Sequence, residues 1–351
     1  MRTLRYNLTL IYWALIELKW YLTLPIAMFL ALFRRRRQIV SVWPESGIAV
    51  APKVVLFMHY DRSGRVRGQI LDYVRQLRTG GRSVVFVTNA GRLVPEAMAA
   101  LRELCAGIII RRNQGYDFGA WCDAVEHLAL PRAETEEVIF ANDSVFGPLA
   151  PLDGALAALD YAKADIWGLT ESWQFRYHLQ SFFMAFGPKA LRSPAFKMFW
   201  DGIKPVPWKN YIVRYYEIGI TQQMVKAGLS CSAVWPYLDL VEKVDYESFD
   251  ELITRMETEA GKVDPILRNR KLQALRLRDA IARRVALNPT ADLWRQLLMS
   301  GFPFIKRELL RENPTAVEDV SDWIATVRQQ LKADPEPIVR DLKLMLKDKA
   351  P

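Results

Sequence analysis

The sequence predicts an α/β fold with a mostly parallel sheet, and three observations carry that prediction. Four short apolar runs, at 54–60, 83–89, 107–113 and 136–143, each end in a polar or glycine-containing turn. Helical spacing of apolar residues fills the stretches between them, the alternation that joins parallel strands through helices. A composition of 51% hydrophobic and 25% charged residues over 351 positions supplies enough apolar side chains to cover such a sheet and excludes a disordered chain.

The first fifty residues stand apart as a helical arm, 1–50. Trp20 to Phe33 carries no charge and is followed at once by four arginines, Arg34 to Arg37. As a helix this segment rises only about 21 Å, short of the roughly 30 Å of a hydrocarbon core. Extending it back to Leu8 would bring Glu17 and Lys19 towards lipid, at roughly 2.5–3.5 kcal/mol each near the centre. The arm therefore reads as membrane-associated, lying in the interface or crossing as a single anchor, with Tyr12, Trp13, Trp20 and Tyr21 suited to the headgroup layer. Packing on the protein's own core is the alternative. Residues 1–37 hold seven basic side chains against one acidic, most of the net charge of +9, so the body carries no excess suited to nucleic acid.

The body, 51–240, reads in order. Val54 to Tyr60 is a buried strand, and Asp61, Ser63 and Gly64 turn the chain into a helix with Ile70, Leu71, Val74 and Leu77 on one side. Gly80 and Gly81 stop that helix before the second strand, Ser83 to Asn89. Pro95 to Leu104 is the second helix, with proline at its first turn. The third strand, Gly107 to Asn113, ends in the Gly-rich loop NQGYDFGAW, and the next helix carries Trp121, Val125 and Leu128. Glu136 to Asp143 is the fourth strand, and ADIWGL after it is strand-like.

A parallel sheet binds ligands beyond its strand C-termini, and there the polar residues collect: His59, Tyr60 and Asp61; Asn89; Asn113, Gly115 and Asp117; Asn142 and Asp143. Neither GxGxxG after the first strand nor GxxxxGK[ST] occurs, which removes the strongest support for dinucleotide oxidoreductases and P-loop hydrolases. Gly115 and Gly119 permit a close turn around a ligand; Asp117 either faces that ligand or caps the helix behind it. Three cysteines without CxxC spacing argue against a disulfide framework, and three scattered histidines give no zinc pattern. Cys122 reads as packing.

Several longer words in order, VLFMHYDRSG (55–64), RRNQGYDFGAW (111–121), FANDSVFGP (140–148), WGLTES (167–172), YHLQSFFMAF (177–186), YYEIGITQ (215–222) and NPTADLWRQLLMSGFPFIKRELLRENP (288–314), resemble the rhamnan synthesis protein F family. The resemblance spans most of 54–314. It implies a GT-A-like nucleotide-sugar-binding domain and transfer of an activated sugar in bacterial surface polysaccharide assembly. The expected reaction is inverting transfer of L-rhamnose, from a donor of the dTDP-rhamnose type to a lipid-linked saccharide. The resemblance also implies an Asp-x-Asp element holding a divalent cation, Mg²⁺ or Mn²⁺, against the donor diphosphate. Here Asn142-Asp143-Ser144 has one carboxylate. Either Asp143 binds the metal with waters and diphosphate oxygens, or Arg and Lys neutralise the phosphates without it. Transfer of another nucleotide sugar, or a noncatalytic assembly scaffold, are the alternative functions. The implied location is the cytoplasmic face of the bacterial inner membrane.

Glycosyl transfer needs a base for the acceptor hydroxyl and positive charge for the leaving diphosphate. Glu217, at the start of a helical segment, is the first candidate base; Glu171, after a strand, is the second. Strand alternation puts His178 and Gln180 on one face, where they would reach donor or acceptor hydroxyls, against a core role for the histidine. Arg111, Arg112 and Arg176 are candidate phosphate partners, and Trp121, Trp167 and Trp173 read first as core. Region 241–351 is helical and packs on the catalytic domain. Its segments run 264–285, with an apolar side of Leu267, Leu272, Leu275 and Ala280, and 294–310, where Lys306 and Arg307 face acceptor-lipid phosphate or membrane, or else solvent.

Overall fold

The computed structural model describes residues 38–244 and 265–347, together with 19, 22–26, 28 and 29 of the arm. The sheet begins earlier than the sequence indicates. Ile39–Trp43, assigned above to the arm, forms strand β1 and pairs antiparallel with β4 (Gly107–Arg111) at the sheet edge. Strands β2 (Lys53–His59), β3 (Ser83–Thr88) and β5 (Glu137–Asn142) fall within a residue or two of their expected limits and run parallel with β4. They are joined by α1 (Gly68–Leu77), α2 (Pro95–Leu104) and α3 (Tyr116–His127).

After β5 come the short β6 (Val145–Phe146), α4 (Asp153–Ala157) and β7 (Ile166–Ser172). The run expected as one strand, YHLQSFFMAF, is broken into β8 (His178–Leu179) and β9 (Phe183–Phe186), with Gln180 between them. Helices α5 (Pro188–Arg192), α6 (Pro194–Gly202) and α7 (Lys209–Ile212) lead into a π-helical turn, Val213–Glu217, then α8 (Ile218–Lys226) and β10 (Cys231–Trp235). The sheet order is β1-β4-β3-β2-β5-β9-β7-β10, with β8 paired to β7. Strand β9 runs antiparallel to β5 and β7, and β7 and β10 pair in parallel.

The central strands are buried on both faces, which is why they read as unbroken apolar runs. Val54, Leu56 and Met58 enter one core with α3, α6 and α8, while Val55 and Phe57 enter the other with α1 and α2. The α1 stripe of Ile70, Tyr73, Val74 and Leu77 is buried there, at about 1.5–3 kcal/mol for each large apolar side chain. Trp121 closes the first core; its Nε1–H donates to the Leu56 carbonyl at 3.1 Å.

Beyond β10 lie α9 (Tyr237–Glu242), α10 (Pro265–Ala282), α11 (Trp294–Met299), β11 (Ile305–Lys306), α12 (Arg307–Arg311), α13 (Trp323–Gln330) and α14 (Glu336–Lys347). The helix expected over 294–310 instead stops at Met299, just before Gly301 at φ +80°, and the chain passes through Pro303 into a short strand. The inward side of α10 also differs. Leu277 and Gln273 are buried, whereas Leu272 and Leu275 are exposed. Leu287, Leu293, Leu297, Phe302 and Phe304 join the second sheet core, so this region packs on the body. Strand β11 pairs antiparallel with β6, Ile305 opposite Phe146 and Lys306 opposite Val145.

No helix among the described residues is long and apolar enough to cross a membrane. Leu24 and Met28 pack against the first core, while Leu22, Ile26 and Phe29 are exposed. The arginines 34–37 lie outside the described residues.

Candidate active site

From β2 the sheet runs through β3 and β4 to one side, and β5 opens the other. That reversal is the topological switch point, beyond the C-terminal ends of β2 and β5, where parallel sheets bind their ligands. His59 closes β2 and Asn142 closes β5; the ladder continues one step further, the Asp143 N–H donating to the Met58 carbonyl at 3.1 Å. Asn142 shapes the turn by accepting from the Ser144 N–H at 3.0 Å and the Ser144 hydroxyl at 2.6 Å. Its amide reaches the other way, Nδ2 donating to Asp117 Oδ2 at 2.7 Å. Asp117 sits in the first turn of α3, preceded by Gly115 at φ +76°, where a side chain would meet the Pro205 backbone. The loops after β4 and β5 therefore converge.

Two cations from the C-terminal region complete the cleft. The β6–β11 pairing extends through the Arg307 N–H, which donates to the Ser144 carbonyl at 3.0 Å. Lys306 Nζ donates to Ser144 Oγ at 3.0 Å and lies 5.1 Å from the Phe182 ring centroid. Arg307 Nη1 pairs with Asp143 Oδ2 at 2.9 Å. The Tyr60 N–H approaches the same oxygen at 3.4 Å. Glu217 Oε1 accepts from the Ser181 N–H at 3.2 Å and is within electrostatic reach of both Asp117 and Lys306.

The charges leave their mark on proton affinities. Burial, reinforced by Asp143 and Glu217, pushes the Asp117 carboxyl up to about 7, against opposition from Lys306 and the Asn142 amide. Burial lowers the Lys306 ammonium, with Glu217, Glu308 and Asp117 opposing the shift. His59 is buried and its pKa is lowered by desolvation. Its Nδ1 lies 3.1 Å from Thr88 Oγ1, while His59 Nε2 and Arg307 Nε are buried without a hydrogen-bond partner among the described residues.

The remaining sequence candidates divide. Tyr60 is exposed at the rim, as is Asn113. Asp61 accepts from the Ser63 N–H at 2.8 Å and lies 3.7 Å from Arg67, holding the β2 turn. Asn89 is engaged in the loop itself: Nδ2 donates to the Tyr116 carbonyl and Oδ1 accepts from Arg111. Arg111 is fully buried and paired with Asp123 at 2.8 Å, which makes it a core ion pair. Glu171 accepts from the Tyr177 hydroxyl at 3.0 Å and the Tyr237 N–H at 3.1 Å. His178 Nδ1 bonds the Arg176 carbonyl at 2.8 Å. Gln180 accepts from Thr170 at 2.7 Å and donates to Asn288 and Thr290, tying the C-terminal region to β7. None of these last three contacts reaches Asp117 or Asp143. Among the described residues no group of three His, Cys, Asp or Glu side chains is arranged to hold a metal ion.

Sheet and side chains define an α/β protein with a mostly parallel sheet, in which carboxylates and a Lys-Arg pair gather at the switch point. The chain belongs to the rhamnan synthesis protein F family, whose model matches residues 84–288; Lys306 and Arg307 lie beyond that span. Virulence protein VirA of Vibrio anguillarum is 29% identical over 224 residues, covering 63% of this chain and 67% of that protein. An uncharacterized protein of Sinorhizobium fredii, y4gN, is 26% identical over 197 residues, 55% of this chain and 51% of its own length. Among solved structures, a mannosyltransferase from Pyrobaculum calidifontis in complex with GDP-Man and Mn²⁺ aligns with TM-score 0.31 at 15% identity, covering 87% of this chain and 94% of that one. A cytidylyltransferase from Leptospira borgpetersenii aligns with TM-score 0.28 at 14% identity over 66% of this chain and 94% of its own.

Proposed function

We propose that this protein is a glycosyltransferase of polysaccharide biosynthesis that uses a nucleotide-sugar donor, with L-rhamnose from a dTDP-linked donor as the sugar and a lipid-linked saccharide as the acceptor. One observation carries this reading: Asp117, Asp143 and Glu217 converge with Lys306 and Arg307 in a single cleft at the sheet's switch point. Family membership supports the pathway. In the proposed reaction the acceptor oxygen attacks the anomeric carbon and the carbon–phosphate-oxygen bond breaks. The electron pair leaves with the nucleoside diphosphate, and the acceptor proton passes to a cleft carboxylate.

Lys306 and Arg307 hold the departing diphosphate, and Asp143 orients Arg307. A resident divalent cation finds a poor donor set here, since the strand-end carboxylate Asp143 already faces a guanidinium and, among the described residues, no three-ligand group surrounds it. Of the two routes left open by Asn142-Asp143-Ser144, this arrangement supports neutralisation by side chains.

Glu217 is the proposed base, held by Ser181. A second reading assigns the proton to Asp117, because its affinity lies near neutral pH, where general-base catalysis is most effective. A pH–rate profile separates them: with Asp117 as base, kcat/KM rises through about pH 7 and Asp117→Asn abolishes the rise.

The exposed Leu22, Ile26 and Phe29 lie at helical spacing on the arm and suit shallow insertion at the cytoplasmic membrane surface. Deleting residues 1–37 is expected to move the protein to the soluble fraction. The transferase reading is tested by incubating the full chain with a panel of nucleotide sugars and lipid-linked saccharides and analysing product mass and linkage. It fails if no donor is consumed with any acceptor.

A further inference from the structure

A groove of about 980 Å³ is lined by α7, the π-helical turn and α8 together with Phe175 and Arg176, beside the turn that carries Glu217. Such a volume is at the upper end of small-molecule sites. Its walls carry three cations, Arg176, Arg214 and Lys226, and no carboxylate. They also carry an aromatic row. Tyr211 and Tyr215 have ring centroids 4.5 Å apart, Trp208 follows at 6.1 Å from Tyr211, and the Arg214 guanidinium lies 5.9 Å from the Tyr215 ring. At the rim Phe175 is 90% exposed and held at φ +63°, a backbone conformation costly for a non-glycine residue.

Flat aromatic faces with neighbouring polar groups suit the apolar faces of sugar rings, and clustered guanidinium and ammonium groups suit phosphate oxygens. The groove shares a wall with the cleft. Val213 and Ile218 line the groove, and between them in the chain stands Glu217, whose carboxylate turns to Ser181 and the Lys306 side. Single π-helical turns of this kind occur often at functional sites.

We infer that this groove is the acceptor site and that it takes a saccharide carrying an anionic phosphate ester, the sugar against Tyr211 and Tyr215 and the phosphate against Arg176 and Arg214. The inference rests on the transferase reading and deepens it by giving the acceptor a place and a charge.

The test titrates the full-length protein, by calorimetry below the micelle concentration, with four probes: a decyl diphosphoryl disaccharide, the matching neutral decyl disaccharide, inorganic pyrophosphate and dTDP. Wild type should bind the charged glycolipid about tenfold or more tighter than the neutral one or pyrophosphate. Arg176→Gln/Arg214→Gln should remove that preference, and Tyr215→Ala should weaken both glycolipids about tenfold, with dTDP affinity unchanged in both variants. Their side chains are surface groups, and circular dichroism checks that the variants fold. Equal binding of pyrophosphate and charged glycolipid overturns the inference, as does an unaltered glycolipid affinity in the variants. Loss of dTDP affinity in the variants also overturns it, by assigning the groove to the donor. The two readings fail separately. Donor consumption with an indifferent groove sinks only this inference. Glycolipid bound in the groove with no donor consumed sinks the transferase and leaves a saccharide-binding protein.

Discussion

Replacing Asp117 by Asn keeps the shape of the side chain and an acceptor for the Asn142 amide, but removes a carboxyl that the cleft holds near pKa 7, well above its ordinary 3.8. The sign of the effect follows from proton binding. Between about pH 4 and 7 the native carboxyl keeps its proton while the unfolded chain has lost it, so native stability falls as pH rises through that window. A shift of about three pK units corresponds to a ceiling of about 4 kcal/mol. Because Asp117 is not closed off from water, roughly 1–2 kcal/mol is the expected gain of Asp117→Asn above pH 7. Below pH 4 the variant and wild type should be equally stable. Chemical denaturation at intervals from pH 4 to 8.5, followed by tryptophan fluorescence, measures the difference directly. Asp143→Asn, by removing the neighbouring negative charge, should move the wild-type decline to lower pH. A difference between Asp117→Asn and wild type that is the same at every pH would refute the reasoning, since it would reflect packing and not ionisation.

Lys306→Met should lower turnover roughly 10²- to 10³-fold with the fold intact, whereas chelation of divalent metal should leave wild-type turnover unchanged; a chelator-sensitive rate would return the leaving-group role to a cation. Gly115→Ala, at φ +76° and with its new methyl 2.8 Å from Pro205 Cα, should cost about 1–3 kcal/mol by denaturant titration and weaken donor binding by displacing Asp117. Gln180→Leu leaves Thr170, Asn288 and Thr290 short of a partner, at about 1–3 kcal/mol of stability, and should not change donor affinity in equilibrium titrations.

The central strands are legible because burial on both faces writes itself into the chain as uninterrupted runs such as Val54 to Met58. Asn142, Asp143 and Asp117 are legible for a related reason, standing where apolar runs stop and parallel sheets bind ligands. The position of Lys306 and Arg307 is not legible. They reach Ser144 and Asp143 through a two-residue pairing across about 160 positions of sequence, and two residues have no periodicity to detect. The roles of Glu171 and Gln180 are hidden differently. Nothing local reveals that Tyr237 and Tyr177 come to one, or that Asn288 and Thr290 come to the other. Strand β1 is masked by its company, five residues of ordinary β character beside an arm dominated by leucine and arginine.

The small ribbon of β6 and β11 has a consequence for the order in which the molecule is made. A nascent chain carries β2 through β10 before residue 300 is translated, yet at that stage Asp143 and Ser144 lack their partners Arg307 and Lys306. Only when Ile305 and Lys306 dock does this strand end gain its positive neighbours, so that part of the candidate site is completed late in synthesis. A protein truncated just ahead of this junction would keep every strand of the main sheet and lose the cations that face Asp143 and Ser144.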